Sequence, residues 1–386
     1  MILNYANKKS ETEIFAQIDD CEFEPLNQVH SPNKLIFGDN LLILKKLITE
    51  YGLTGKIDLI YIDPPFATNN TFMVSEDRAN TISNTKNGKV AYRDTLTGAD
   101  FLEFLRERLV LLKMLLSDRG SIYLHIDYKV GHYVKIIMDE IFGVENFRND
   151  ITRVKCNPKN FARKGYGNMK DMILFYSKTE NPIWNEPKMP YTEEDKLKLF
   201  PKKEINGRNY TTIPLHAPGE TQNGNTSYRF KGILPPVGRH WRTSVEILEL
   251  WDAEGLIEWS EKGNPRKKIY LDEQEGKRLQ DIWELKDPQY PVYPTEKNSE
   301  LLDIIIKTSS NAESYVLDCF SGSGTSLLAA HQNNRKWIGI DKSEEAIKAT
   351  VLKLGKIQGD FFVQKPEYEY IKMKEVKVCQ QEHCRI

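Results

Sequence analysis

Two short segments of the 386-residue chain carry residue types whose spacing suits chemistry. The first is Asp63-Pro64-Pro65-Phe66, directly after the near-continuous apolar run IDLIYI at 57–62. Such a run reads as a strand buried on both faces of a parallel sheet. Proline cannot donate to a ladder, so the strand ends here. Ligands of open α/β sheets bind beyond the carboxyl ends of the strands, which puts Asp63 where a site is expected. The Asp63 carboxylate and the Pro64 carbonyl are two acceptors able to hold both N–H groups of an exocyclic base amine. That hold favours a pyramidal nitrogen whose lone pair faces an electrophile. The two prolines fix the carbonyl direction, and Phe66 offers a flat apolar face on which an extruded base can stack. Taken alone, Asp-Pro-Pro is a common turn, so its position at a strand end carries the reading.

The second segment runs from Asp318 through Phe320, Ser321, Gly322 and Gly324 to Thr325, between the apolar run SYVLDCF at 314–320 and a helical pattern. A strand, a glycine turn and a helix bring backbone N–H groups to a ligand. An acid ending the next strand, here Asp341, nineteen residues after Gly322, can accept from ribose hydroxyls. No Gly-Lys-Ser/Thr follows, so this is not a P-loop, and Leu327 stands where a dinucleotide fingerprint has its third glycine. A nucleoside-containing cofactor fits the segment. So does a glycine turn that only packs a helix on its strand, and a nicotinamide-dependent oxidoreductase stays open at this point.

The elements that must position these residues alternate as βα units. KLIFG at 34–38 predicts a strand and NLLILKKLITEYG its helix. After IDLIYI come a helix over 99–117, a strand SIYLHID at 121–127, a helix around 131–142, and strands near 150–155 and 172–177. Beyond 295, ELLDIIIKTSS predicts a helix, SYVLDCF a strand, KWIGIDKS a strand ending at Asp341, and EEAIKATVLKLGKI a helix. Residues 67–98 are polar, lack periodicity and exceed an ordinary loop, which predicts a lid or binding loop. From about 180 to 290 the texture turns to Pro, Gly, Asn and Trp, which predicts an inserted domain.

Composition is that of an ordinary globular protein, with 40% hydrophobic and 28% charged residues, which disfavours disorder and fibrous folds. Lys and Arg number 54 against 55 Asp and Glu, so net charge points to no partner. Residues 151–250 differ, with 17 Lys or Arg against 10 Asp or Glu. Cys21, Cys156, Cys319, Cys379 and Cys384 are odd in number and mostly far apart, which suits a reducing cytoplasm rather than a disulfide framework. No run approaches the ~18 apolar residues that span a bilayer, and no secretory leader is evident, so a soluble cytoplasmic protein is expected. Cys379, His383 and Cys384 lack a fourth ligand, and no metal is expected there.

Together the two motifs resemble the DNA amino-methyltransferases. In that family an Asp/Asn/Ser-Pro-Pro-Tyr/Phe segment works beside a Phe-x-Gly-x-Gly loop for S-adenosylmethionine. Here the catalytic segment precedes the cofactor loop, an order similar to the β class. GSIYLHID, HYVKIIMDEIFG, KDMILFYSK, PPVGRHWR, GNPRKKIYLDE, LQDIW and YPTEKN resemble segments of bacterial adenine-specific enzymes related to type III modification subunits, over roughly residues 30–357. The resemblance implies a doubly wound, Rossmann-like, S-adenosylmethionine-dependent methyltransferase fold with circularly permuted motifs and an inserted target-recognition domain. The implied division is an N-terminal extension to residue 30, catalytic and cofactor halves at 31–179 and 291–360, a recognition domain at 180–290, and a tail from 361.

Carried over residue by residue, the family implies that Asp63, Pro64, Pro65 and Phe66 form the target-base pocket. Asp318, Phe320, Ser321, Gly322, Gly324 and Thr325 would line the methionine and ribose parts of S-adenosylmethionine, with Asp341 on the ribose hydroxyls. Asp39 matches an acid near the adenine, and Thr295 and Lys297 match a segment that helps hold the cofactor carboxylate. Phe66 replaces the Tyr of many relatives, and Asn298 stands where Pro is common. Duplex DNA is the implied partner, with adenine N6 as the methyl acceptor and cytosine N4 as the alternative. A cognate restriction endonuclease and a homodimer are assemblies that the resemblance allows. In RVKCNPKNFARKGYGNMK at 153–170, Arg153, Lys155, Arg163 and Lys164 read as phosphate contacts. In GRHWR, Arg239, His240 and Arg242 read as DNA contacts, while Trp241 suits core packing and base contact equally.

Overall fold

The computed structural model describes residues 2–65, 98–158, 164–219, 228–287, 297–357 and 365–375, and the backbone alone of 71–74, 79–80 and 89–93. The chain divides into two compact units, residues 1–187 with 280–386, and residues 188–279.

Ten strands build the sheet of the larger unit: β1 (Cys21–Pro25), β2 (Lys34–Phe37), β3 (Ile57–Ile62), β4 (Leu116–Ile126), β5 (Phe147–Val154), β6 (Lys170–Ser177), β7 (Ile282–Trp283), β8 (Tyr315–Asp318), β9 (Lys336–Asp341) and β10 (Glu369–Glu375). Their order is β1-β10-β2-β9-β8-β3-β4-β6-β5-β7. Pairing is parallel from β10 to β4, and β6 runs antiparallel to both β4 and β5. Helices α1 (Glu11–Gln17), α2 (Asn40–Thr49), α3 (Gly98–Leu115), α4 (Tyr128–Phe142), α5 (Ser299–Ser309), α6 (Thr325–Gln332) and α7 (Glu344–Gly355) belong to this unit. The result is a doubly wound α/β fold.

Helix starts follow from capping chemistry. Asp39 accepts from the Leu41 amide at 2.8 Å and Asp127 from the Lys129 amide at 2.9 Å. Asn298 caps α5 by accepting from the Glu300 amide at 2.8 Å. Successive strand residues face opposite sides. Thus Ile60, Ile62, Ile122, Leu124 and Ile126 pack into one core with the apolar faces of α1 to α4. Tyr61 and Tyr123 point the other way, where α5 packs on β3 and β4 and Ser309 pairs with the Tyr123 hydroxyl at 2.8 Å.

Both end regions of the sequence contribute to the large sheet. The regions read as an N-terminal extension and a C-terminal tail supply β1 and β10, which pair with each other at one side of the sheet. These strands are half exposed, so they lack the apolar run that marks β3. Within 67–98, the segment read as a lid or binding loop, Thr71–Val74, Ala79–Asn80 and Lys89–Arg93 form a small antiparallel sheet.

The smaller unit holds a four-stranded antiparallel sheet, two two-stranded ribbons and two helices, Glu193–Leu199 and Val245–Ala253. Leu215, Phe230, Trp241, Leu248 and Ile257 form its core. No described helix is long and apolar enough to cross a membrane.

Candidate active site

Asp63 follows the last residue of β3, at the carboxyl edge of the sheet. One of its carboxylate oxygens, Oδ2, lies 2.9 Å from Lys297 Nζ, and both side chains are largely buried. The other, Oδ1, is buried with no hydrogen-bond partner among the described residues. A buried acceptor without a donor is costly, and its persistence asks for a ligand donor.

A polar row extends from Asp63 across the neighbouring strands. The register pairs Tyr61 with Tyr123 and Ile62 with Leu124, so the next positions, Asp63 and His125, stand side by side. Tyr61 Oη lies 3.0 Å from His125 Nδ1, and His125 Nε2 lies 3.3 Å from Asp171 Oδ2. Lys155 donates to Asp171 Oδ1 at 2.6 Å, and the Arg153 guanidinium stands 3.9 Å from the same carboxylate. Burial would raise the Asp171 carboxyl, but the His125 and Lys155 donors overcome it and hold the group well below the usual carboxylate range. Burial, with Lys297 beside it, lowers His125 against the pull of Asp171 and Asp63, which keeps the imidazole neutral. Burial and the charge of Asp63 raise Tyr61. Its hydroxyl therefore donates to Nδ1, and the His125 proton sits on Nε2, facing Asp171.

The turn after β8 forms the second half of the site. Asp341 Oδ2 accepts from the Gly322 amide at 2.8 Å, and Oδ1 accepts from the Ser343 amide at 2.8 Å. Asp318 is buried beneath the turn, accepting from the Phe320 amide at 2.9 Å and from the Ser326 hydroxyl. Burial pushes its carboxyl up to about 7 despite those donors. Gly324 opens α6 with φ 72°, and a Cβ there would stand 2.6 Å from Thr350 Cγ2. This is a position that only glycine fills without strain. α7 clamps the turn from behind: Thr350 donates to the Gly322 carbonyl at 3.0 Å, and Lys353 to Thr325 Oγ1 at 2.8 Å.

A family model described as DNA methylase, covering N6 and N4 methyltransferases, matches residues 57–352. The chain belongs to this family. It is 40% identical over 363 residues to the type II methyltransferase M.EcaI of Enterobacter cloacae, covering 91% of this chain and 76% of that protein. It is 26% identical to the type III StyLTI Mod subunit of Salmonella typhimurium, over 86% of this chain and 55% of the subunit. The chain thus spans about half the length of that type III relative. Among solved structures, the PvuII cytosine-N4-specific DNA methyltransferase aligns with 85% of this chain and 88% of its own at 13% identity and TM-score 0.47.

A DNA methylase of this family uses S-adenosylmethionine, which sets the nicotinamide reading aside. The turns of this methylase fit such a cofactor. Ser321 Oγ in the glycine turn is buried without a hydrogen-bond partner among the described residues. Asp341 ends β9 and Asp39 lies two residues beyond the neighbouring β2, and carboxylates there suit a ligand rich in hydroxyl and amine donors. Asp318, expected to line the cofactor, holds the shape of the glycine turn through Phe320 and Ser326.

Phe66, Thr295 and Arg163 lie outside the described residues, as do Cys379, His383 and Cys384. Pro64 is buried, and Pro65 partly so. Two expected DNA contacts are corrected. Arg153 is fully buried, donating through Nε to the Leu285 carbonyl at 2.7 Å and pairing with Asp287, so a phosphate cannot reach it. Trp241 is fully buried in the smaller unit's core, its indole donating to the Tyr228 carbonyl at 2.8 Å. Lys155 is three-quarters buried and committed to Asp171. Lys164, Arg239 and Arg242 are exposed and His240 partly so. Arg239 and Arg242 both contact His216 on the facing strand. His125, Asp171 and His216 are residues of these polar clusters that sequence reasoning missed. The one signal for His125 is a polar residue at every second position of an apolar strand.

Proposed function

We propose that this methylase transfers a methyl group from S-adenosylmethionine to N6 of an adenine flipped out of duplex DNA. The observation that carries the reading is the buried, unpartnered Asp63 Oδ1 at a strand end, beside an Oδ2 held by Lys297. Bound S-adenosylmethionine supplies an electrophilic methyl group on a sulfonium. Asp63 Oδ1 accepts one N–H of the target amine and the Pro64 carbonyl accepts the other, which turns the nitrogen lone pair out of the ring plane. Lys297 fixes the Asp63 carboxylate in that orientation. Asp63 orients rather than abstracts, because the methylated ammonium loses its proton readily. Phe66 stacks on the base but offers no hydroxyl to it. Asp341 takes the ribose hydroxyls, and Lys297 with Thr295 stands at the cofactor's carboxylate end.

The residue 188–279 unit, at the centre of the segment read as 180–290, is the target-recognition domain in this proposal, with Arg239, His240, Arg242 and Lys164 on DNA. The name of the type III relative supports a restriction-modification setting; the cytoplasm, a cognate endonuclease and a homodimer are further parts of this proposal. The test is mass spectrometry of digested DNA from cells expressing the wild type or Asp63→Ala. N6-methyladenine with the wild type and none with the variant, which still binds S-adenosylmethionine, is expected. N4-methylcytosine alone would move the target to cytosine, and activity retained in Asp63→Ala would remove the mechanism.

A further inference from the structure

Arg108 is a buried cation that neither motif predicts. It lies in α3 and is only 3% exposed, a placement that costs several kcal/mol of desolvation unless the charge is well used. Its three nitrogens go to three acceptors. Nε donates to Asn40 Oδ1 at 2.5 Å, Nη1 to the Phe104 carbonyl at 2.8 Å, and Nη2 to Asp39 Oδ1 at 3.3 Å. Asn40 in turn donates through Nδ2 to the Cys319 carbonyl at 2.7 Å. The guanidinium also lies over the Phe104 ring, 3.6 Å from its centroid, and that ring meets Phe320 at 6.1 Å.

These contacts join two turns that are not neighbours in the sheet. Asp39 and Asn40 follow β2, Cys319 and Phe320 follow β8, and β9 with Asp341 at its end lies between them. Gly38 donates to the Asp341 carbonyl at 3.0 Å and Gly322 to its carboxylate at 2.8 Å, so all three turns meet at one place. On the proposed reading Asp39 and Phe320 flank the adenosine part of the cofactor, one from each turn. Arg108 reaches both, Asp39 through its carboxylate and the β8 turn through Asn40 and the Phe104 ring.

We propose that Arg108 is a positioning residue for the adenosine part of the cofactor, clasping the β2 and β8 turns at the separation that this part requires. The proposal rests on the reading that places S-adenosylmethionine at these turns. A lysine keeps the charge but has one compact ammonium in place of a planar fork, so it cannot serve three acceptors at once.

The experiment is calorimetric titration of the full chain with S-adenosylmethionine and with 5′-methylthioadenosine, which lacks the amino-acid part, together with kcat and KM. For Arg108→Lys, both ligands should weaken by a common factor of about ten or more, with kcat at saturating cofactor within about threefold of wild type. A second variant guards against misfolding. Asn40→Asp keeps the acceptor for Arg108 but loses the donor to Cys319, and it should weaken both ligands in the same way. Wild-type affinity for 5′-methylthioadenosine in both variants overturns the proposal. So does a fall in melting temperature and kcat with the dissociation constants unchanged, the mark of a merely structural role. Asp341→Asn is the control. If it weakens the cofactor while the other variants do not, the clasp fails and the site stands; if it leaves affinity unchanged, the site itself fails and takes the clasp with it.

Discussion

Asp318 shows how a single carboxyl can be placed for shape rather than for charge. Burial pushes it up to about 7, although it accepts from Phe320 and Ser326. An unfolded aspartate titrates near 4, so between about pH 4 and 7 the folded state holds a proton that the unfolded state has lost. The contribution of this group is therefore fully present below about pH 4 and is lost as pH rises through 7. The difference in melting temperature between wild type and Asp318→Asn should shift against the wild type from pH 5 to 8, and a flat difference would contradict the assignment. His125 slopes the other way, since burial lowers it and its stabilisation is lost as pH falls below about 6.5, but it is common to both proteins and cancels. At this scale the placement of Asp63 and Asp341 at strand ends and of Gly322 and Gly324 in a turn was legible, because a carboxylate at the end of an apolar run and a glycine turn each need only local sequence. The contacts of Asp318 with the turn were not legible, since only packing shows that its oxygens accept from Phe320 and Ser326.

Elements are where sequence reading both succeeds and stops. The runs of β3, β4, β8 and β9 and the periodicity of α3 mark themselves, because strands buried on both faces are mostly apolar and a helix packed on them repeats its apolar residues every three or four positions. The polar row Tyr61, His125, Asp171, Arg153 does not, because it exists only once β3, β4, β6 and β5 lie side by side in register. Arg153 shows the cost of that blindness: a basic segment suggested DNA, and pairing with Asp171 and Asp287 places the cation in the core. Removing one member of a buried ionic row leaves the others uncompensated, a loss of about 3–5 kcal/mol. Asp171→Asn leaves Arg153 and Lys155 facing a neutral amide and should lower the urea midpoint accordingly. Tyr61→Phe, which removes one neutral donor, should cost only about 1 kcal/mol. Midpoints for the two variants within error of each other would show that the row is not ionic in its energetics.

For the whole molecule, net charge hides how the cations are used. The local excess over residues 151–250, 17 Lys or Arg against 10 Asp or Glu, suggested a basic face. Much of it is consumed internally. Lys155 pairs with Asp171, Lys188 with Glu275, Lys202 with Glu258, and Arg208 with Asp272 and Glu273. Arg239 and Arg242 are different, exposed and held against His216 rather than an acid, and both cations lower that imidazole, after burial. Holding His216 neutral limits competition between the imidazole and the guanidinium groups for the same anion. A phosphate neutralised by one cation releases counterions and contributes about 0.9 to the slope of log affinity against log salt. If both arginines meet phosphates, Arg239→Ala with Arg242→Ala should lower the magnitude of that slope by about 2, with similar losses on specific and non-specific duplexes. If instead they read base edges, the slope should hardly change, while discrimination between the specific and a mismatched duplex falls by about 1–3 kcal/mol per contact. Titrations of both duplexes across a salt series separate these outcomes. Unchanged slope and unchanged discrimination together would remove this hairpin from the DNA-binding surface and leave the recognition role of the smaller unit to its other faces.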